Sequence, residues 1–316
     1  MFATKRFPST KERRLKGAGR DKMPDPLTVS VIIPTKNRPG DLARTIETLL
    51  QQTVLPQELI IVDQSPEPTF TRPISIPLTC IHDPSLSGLT VARNVAMDHA
   101  QGNLWLFLDD DVLLEPQFIE EIIKAYNADV TGVSGIITNY SIPPLKQRLW
   151  ETVFQIGPFR DDRQGIYRDA WRLCDSSPIR VRQLGGGLMS FRASAVRHYR
   201  FDTNLTGASP GEDIDFCAGL PKGNILLIAP KAKLIHNRTP ESRDSTHWIS
   251  VDAQVASYMH ERHWKAGLWN NICYGWLNVG YAMVAAVSSL KKRSVVPLKA
   301  WREGICRGKQ IAGGLS

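Results

Sequence analysis

The stretch Val29-Ser30-Val31-Ile32-Ile33-Pro34-Thr35-Lys36-Asn37-Arg38 carries the reading of the fold. Its first five residues, apolar but for Ser30 and mostly β-branched, form the short continuous run of a strand buried on both faces. The residues that follow are polar and suit a loop. Pro39 then opens a segment to Gln52 in which Leu42, Ile46, Leu49 and Leu50 recur at helical spacing, with proline at the first turn, where a helix tolerates it. The pattern repeats: Leu59-Ile60-Ile61-Val62 is a second buried strand, Thr79 to His82 a weaker third, Leu89 to Ala100 a helix, Leu104 to Leu108 a strand and Pro116 to Tyr126 a helix. Strands alternating with helices predict an α/β fold on a mostly parallel sheet flanked by helices. In such a sheet ligands collect beyond the carboxyl ends of the strands, where the loops converge. Pro34 to Arg38, Asp63 and Asp109-Asp110-Asp111 each follow a strand directly.

The composition around this core is that of an ordinary globular chain: 316 residues, 42% hydrophobic and 22% charged. That length bounds the molecule to one sizeable domain of roughly 200 to 250 residues with appendages. The formal charge of +8 sits at the ends. Residues 1–22 hold eight Lys and Arg against two acids and residues 291–316 hold seven against one, which leaves the body mildly acidic. Such ends suit contact with an anionic surface. No basic and aromatic pattern of a nucleic-acid reader accompanies them, so nucleic acid is not an expected partner. Cys80, Cys174, Cys217, Cys273 and Cys306 lie far apart with no C-x-x-C pair, which argues against a disulfide framework or a zinc ribbon and for a reducing compartment. The segment through Met23 lacks the apolar stretch of a secretory signal, and cytoplasmic residence is expected.

Residues 1–26 read as a disordered basic leader, followed by the α/β domain over 27–245. Within it, residues 138–183 scatter Tyr140, Trp150, Phe154, Phe159, Tyr167 and Trp171 without a clear period, and an excursion of that length reads as a lid or inserted subdomain. Strand-like runs resume at Leu188 to Phe191, Ile225 to Ile228 and Lys233 to Ile235. Residues 246–316 read as a helical appendage ending in a basic tail. Ala266 to Leu290 holds no charged residue. At 100° per residue it sets Asn270, Asn271, Tyr274, Asn278, Tyr281 and Ser288 opposite Trp269, Ile272, Trp276, Val279, Met283, Val287 and Leu290. Asparagine amides at mid-bilayer would go unsatisfied, so a helix lying in a membrane interface is expected ahead of one packed on the domain or one spanning the bilayer.

Three adjacent carboxylates at a strand end raise one another's pKa unless a cation offsets them. A divalent metal, Mg²⁺ or Mn²⁺, suits such hard oxygen ligands and can bridge a diphosphate; a solvated acidic turn is the other reading. Gly211-Glu212-Asp213 is a helix start with acids where the helix dipole favours them, or the site of a general base acting on a hydroxyl. His236, at the end of Lys233-Leu234-Ile235, either completes a metal shell or holds a structural hydrogen bond. Gly185-Gly186-Gly187 is either a connector or a close approach of backbone to the site.

Together, Val29 to Arg38, Ile60-Ile61-Val62-Asp63-Gln64-Ser65, Gly88-Leu89-Thr90-Val91-Ala92-Arg93-Asn94 and Leu106-Phe107-Leu108-Asp109-Asp110-Asp111 resemble, in order and spacing, the signature blocks of the family 2 glycosyltransferases. Phe201-Asp202, Gly211-Glu212-Asp213-Ile214-Asp215-Phe216, Ala229-Pro230 and His236 resemble the blocks of the acceptor side. The likeness runs from about Thr28 to His236, and residues 138–183 match no block. It implies a GT-A fold (Rossmann-like, of the nucleotide-diphospho-sugar transferases) and an inverting displacement. It implies also that Pro34, Thr35, Asn37 and Arg38 line the nucleotide site, that Asp63 contacts the base, and that Arg93, with Asn94 beside it, serves the base or diphosphate. Asp109 and Asp110 would contact ribose or metal, and Asp111 would be the main metal ligand with His236 as a further one. Asp213 would be the catalytic base, with Glu212 orienting it or binding the acceptor. No Q-x-x-R-W follows, unlike the processive synthases, which favours transfer of one or a few sugars.

The partners so implied are a nucleotide diphosphate sugar donor, a glycan or lipid-linked acceptor and an anionic membrane touched peripherally at the inner face of the plasma membrane. Two other functions fit parts of the pattern. A sugar nucleotidyltransferase would carry a glycine-rich triphosphate loop, whereas Pro34-Thr35-Lys36-Asn37 has no glycine; a non-catalytic membrane-bound adaptor would not need the complete acidic set.

Overall fold

The computed structural model describes residues 26–140, 143–155, 177–207, 210–237 and 245–314. The expected leader up to residue 25 and the middle of the expected lid, residues 156–176, lie outside them. β1 (Val29–Thr35) is buried along its whole length and pairs in parallel with β2 (Glu58–Asp63) and β4 (Leu104–Leu108), while β3 (Leu78–His82) extends the sheet in parallel from β2. The helices α1 (Pro39–Leu50) and α2 (Leu89–Met97) make the crossovers, and α3 (Phe118–Ala125) follows β5 (Val112–Leu114). With β6 (Gly132–Ile137), β7 (Ile179–Val181), β8 (Leu188–Arg192) and β9 (Leu226–His236) the sheet has, among the described residues, nine strands, ordered β3-β2-β1-β4-β8-β6-β9-β5, with β7 paired to β9. The continuous apolar runs are explained by burial on both faces. Val31 and Ile33 join Leu42, Ile46, Leu49 and Phe118 in one layer, while Ile32 joins Ala92, Phe107, Phe191 and Phe216 in the other.

Two pairings position the chemistry. β8 enters antiparallel between β4 and β6, which lays Gly185-Gly186-Gly187 against the end of β4. β5 pairs antiparallel with the far end of β9, in the register Val112 with His236, so His236 arrives beside Asp111.

Three elements differ from the sequence reading. Within 138–183, α4 (Leu145–Phe154) is a helix; its apolar residues point both inward and outward, so no single stripe betrays it. The runs at 225–228 and 233–235 are one strand, β9, which accommodates Pro230 at a bulge where the register with β6 shifts between Ser134 and Ile136. The basic tail is largely a helix, α9 (Val296–Ala312), whose buried side consists mainly of the small residues Ala300, Gly304 and Gly308, too weakly apolar to show as a stripe. It packs along α7 (Ser245–Met259), and α8 (Leu268–Lys292) lies against both. Between α7 and α8, residues His260–Trp264 make a π-helical turn. The short helices α5 (Ala193–Val196) and α6 (Glu212–Gly219) complete the fold. Among the described residues no helix is long and apolar enough to cross a membrane.

Candidate active site

The ends of β4 and β9 bring Asp109, Asp111 and His236 together, with one ligand atom from each lying within 4.8 Å of the others. His236 Nε2 is 2.9 Å from Asp111 Oδ1 and 3.7 Å from Asp109 Oδ2. Asp111 Oδ1 is buried and, among the described residues, has no hydrogen-bond partner of good geometry. Two carboxylates and an imidazole converging on one point, one oxygen unsatisfied, form a donor set that fits a divalent cation. The other face of the ring is fixed: Nδ1 meets the Tyr140 hydroxyl at 3.1 Å, and Asn139 grips the His236 backbone through Nδ2 to the carbonyl (2.9 Å) and Oδ1 from the N–H (3.1 Å). A partner on Nδ1 sets ring orientation and leaves Nε2 for a ligand. Tyr140 and Asn139 were not singled out in the sequence as site residues. They lie in the aperiodic stretch after β6, and only the pairing of β9 brings them to His236.

The middle carboxylate is differently placed. Asp110 accepts a hydrogen bond from Thr35 Oγ1 (2.7 Å) and pairs with Arg38 Nη1 (3.3 Å), which also reaches Asp111 Oδ2 (3.0 Å). Burial, with its two acidic neighbours, pushes Asp110 up to about 6 against the pull of Thr35 and Arg38. Burial acts on Asp111 too, but His236 and Arg38 outweigh it and hold that carboxyl below its ordinary value. Thr45 Oγ1 sits 2.8 Å from the carbonyls of both Asp110 and Val112 and anchors the turn from α1.

Arg93 joins the two acidic motifs. Its side chain is 0% exposed, with Nη1 donating to Glu212 Oε1 (2.7 Å) and Nη2 donating to the Gly186 carbonyl (2.8 Å) and lying 3.5 Å from Asp109 Oδ1. Phe201 and Phe107 flank the guanidinium, at 5.4 and 6.0 Å from their ring centroids. It is therefore committed to protein carboxylates and backbone. Glu212 is pushed up to about 8 by burial and by Asp213, against Arg93. Burial raises Asp213 as well; its Oδ2 accepts from the Gly186 N–H (3.0 Å) and its Oδ1 from its neighbour Ile214 (2.8 Å). The glycines are what permit this packing. A Cβ at Gly186 would lie 2.5 Å from Glu212 Oε1, and one at Gly187 would collide with the Asp109 carboxylate. The run is a close approach of backbone to the site.

Pro34, the last but one residue of β1, is in register with Val62. Asn37, exposed and with φ 59°, donates its N–H to Ser65 Oγ (2.7 Å). Asp63 is buried and accepts from the N–H groups of Ser65 and Thr69 and from Thr69 Oγ1 (2.7 Å), which hold it below its usual range despite desolvation. It thus shapes the loop after β2. Asn94 spends its amide on the backbone of Phe201, in both directions at 2.9 Å. The acidic helix α6 is also held from the C-terminal side: Arg262 bridges Asp202 (2.6 Å) and Asp215 (2.9 Å), His263 Nε2 reaches Asp215 (2.7 Å), and Tyr258 donates to Asp202 (2.7 Å). No sequence motif marked these four contacts, because they span 47 to 60 residues.

Residues 30–181 match the family model described as glycosyl transferase family 2. The succinoglycan biosynthesis protein ExoM of Rhizobium meliloti (strain 1021) is 26% identical over 278 residues, 83% of this chain and 84% of the relative. A glucosyl-dolichyl phosphate glucuronosyltransferase of Haloferax volcanii is 30% identical over 121 residues, 35% of this chain and 38% of the relative. Among solved structures, the mannosyltransferase PcManGT from Pyrobaculum calidifontis, in complex with GDP-Man and Mn²⁺, superposes with a TM-score of 0.52 over 90% of this chain and 85% of that one, at 16% identity. Signature blocks at the strand ends and an Asp-Asp-His group beside an acidic helix start thus lie in a chain whose residues 30–181 match glycosyl transferase family 2, and the chain is a glycosyltransferase of GT-A fold.

Proposed function

We propose that the enzyme moves a sugar, with inversion, from a nucleotide diphosphate sugar to an acceptor hydroxyl in the synthesis of a cell-surface glycan or lipid-linked precursor. The Arg93 bridge carries this reading: one buried side chain spans Asp109 of the Asp-Asp-His group and Glu212 of α6, so leaving-group site and base stand a fixed distance apart. The acceptor oxygen bonds to the anomeric carbon as its proton passes to Asp213, and the bond from that carbon to the diphosphate oxygen breaks with its electrons. Asp213 is held by two backbone N–H groups and keeps lone pairs for that proton, while its raised pKa makes it a stronger base than a solvated carboxylate. Glu212, clamped by Arg93, keeps the first turn of α6 in place. Thr35, Asn37, Arg38 and Asp63 border the nucleotide. Asp109, Asp111 and His236 would hold Mn²⁺ or Mg²⁺, which would supply charge neutralisation to a departing diphosphate.

The names of the relatives support the context, one in succinoglycan biosynthesis and one acting on a dolichyl phosphate sugar, and the mannosyltransferase structure holds a nucleotide sugar with Mn²⁺. The location inferred is the cytoplasmic face of the plasma membrane. A thermal-shift screen of GDP-mannose, UDP-glucose and UDP-N-acetylglucosamine tests the donor site. A matching donor near 100 times its Kd is expected to raise Tm by about 5 to 10 °C with Mn²⁺ and far less after chelation. Silence across nucleotide sugars would reject the reading, and retention of anomeric configuration in the product, read by NMR, would reject inversion. Gly187→Ala, by displacing the Asp109 carboxylate, is expected to raise the Mn²⁺ concentration for half-maximal turnover roughly 10- to 100-fold, measured by metal titration.

A further inference from the structure

The exposed large apolar side chains concentrate on two helices. On α8, Trp269, Ile272, Val279, Met283, Val287 and Leu290 are exposed, 42 to 79%, while Cys273, Leu277, Tyr281 and Ala285 are buried against the protein. A helix with two apolar faces needs two apolar surroundings, and the described residues supply one. On α4, Leu145, Leu149 and Val153 are exposed at 68, 58 and 46%, while Phe154 turns inward.

The two helices are locked antiparallel. Trp150 Nε1 donates to the Gly280 carbonyl (3.1 Å) with its ring 5.3 Å from Tyr281, and further along α4 the Val153 carbonyl accepts from Trp276 Nε1 (2.9 Å) with the Phe154 ring 5.2 Å from Trp276. A Cβ on Gly280 would come within 2.5 Å of Phe154 Cγ, so glycine sets the closeness of the crossing. On each helix the contact residues follow the exposed arc in the same rotational sense, by roughly 100° at the helical repeat. For an antiparallel pair this puts both exposed arcs on one side. The α8 stripe from Trp269 to Leu290 runs about 32 Å, long enough to lie flat on a surface.

From this arrangement we infer that α4 and α8 form a single docking face for an anionic lipid bilayer, lying in the interface plane. It deepens the membrane reading given above and rests on it. Charge selects the occupant. Lys146 and Arg148 border the α4 stripe, and Lys291 and Arg293 close the end of α8; all four are exposed, α8 contains no acid, and the one acid of α4, Glu151, is buried. Anionic headgroups complement that rim, whereas a second copy of the chain would meet it with the same basic groups. α4 starts five residues after Tyr140, which puts its first Cα at most about 18 Å from that of the residue holding His236, so a lipid-borne acceptor docked here is within a short tether of the Asp-Asp-His group.

The test is co-sedimentation of the full chain with vesicles of phosphatidylcholine alone and of phosphatidylcholine mixed equally with phosphatidylglycerol, at low and high salt. The protein is expected to sediment with the mixed vesicles, less so at high salt, and Leu149→Glu and Met283→Glu are each expected to lower partitioning roughly tenfold or more. Both variants change exposed side chains, so unaltered thermal unfolding and an unaltered nucleotide-sugar response accompany the loss. Wild-type partitioning in Leu149→Glu would overturn the two-helix face. So would absence of vesicle binding, or a concentration-dependent dimer that Met283→Glu dissolves. A failed donor screen leaves these readouts untouched and strikes only the transferase reading.

Discussion

Asp213→Asn is expected to bind the nucleotide sugar as wild type does and to lose turnover by roughly 10²- to 10⁴-fold, the usual range for a general base. The asymmetry follows from position. Asp213 lies at the start of α6 and touches Gly186 and Ile214, whereas the proposed diphosphate site is bordered by Asp109, Asp111, His236 and Arg38. An asparagine has the same shape but cannot take a proton. Its amide also presents one NH₂ to a backbone N–H where the carboxylate offered an acceptor, so a small loss of stability accompanies the loss of chemistry. Single-turnover transfer beside donor titration separates the two effects, and near-normal turnover would remove Asp213 from its role. The wild-type pH profile carries the same assignment. The base must be deprotonated, and burial raises its pKa, so activity is expected to rise with pH along an acidic limb displaced above the ordinary aspartate value of about 3.9. A limb at or below that value would contradict it.

Arg93→Met is expected to be the most destabilising single change at the site, by about 3 to 5 kcal/mol, or on the order of 10 °C in Tm. The guanidinium is fully buried and the only cation within ion-pair distance of Glu212 among the described residues. Removing it strands two acids already strained by proximity, with Glu212 pushed up to about 8 even in its presence. Replacing both partners is a different matter, since a buried pair is costly to break but often dispensable as a unit. Arg93→Met with Glu212→Gln is therefore expected to recover much of the lost stability without recovering transfer, as thermal and denaturant unfolding would read. Additive losses in the double variant would mean that Arg93 acts mainly by packing on Phe107 and Phe201.

Much of this architecture could be read from local pattern. Residues 29–33, 59–62 and 104–108 are apolar but for Ser30 because each strand is buried on both faces, and the acids and loop residues stand where those runs stop. Patterns with a short period leave their mark in consecutive residues. α4 and α9 left none, the first because its apolar residues divide between inside and outside, the second because glycine and alanine form its packed side.

The sequence alone determined the parallel half of the sheet, the identity of the acidic motifs and the apolar stripe of α8 from Trp269 to Leu290, since each depends on residues near one another in the chain. Whether the acids meet, and on what, was decided by pairings across long separations. The antiparallel register of β5 with β9 delivers His236, the entry of β8 beside β4 delivers the glycine run, and the crossing of α4 with α8 turns two half-hidden stripes into one face. Such contacts cost chain entropy that only the collected burial of the whole domain offsets, so no local segment of the sequence encodes them by itself.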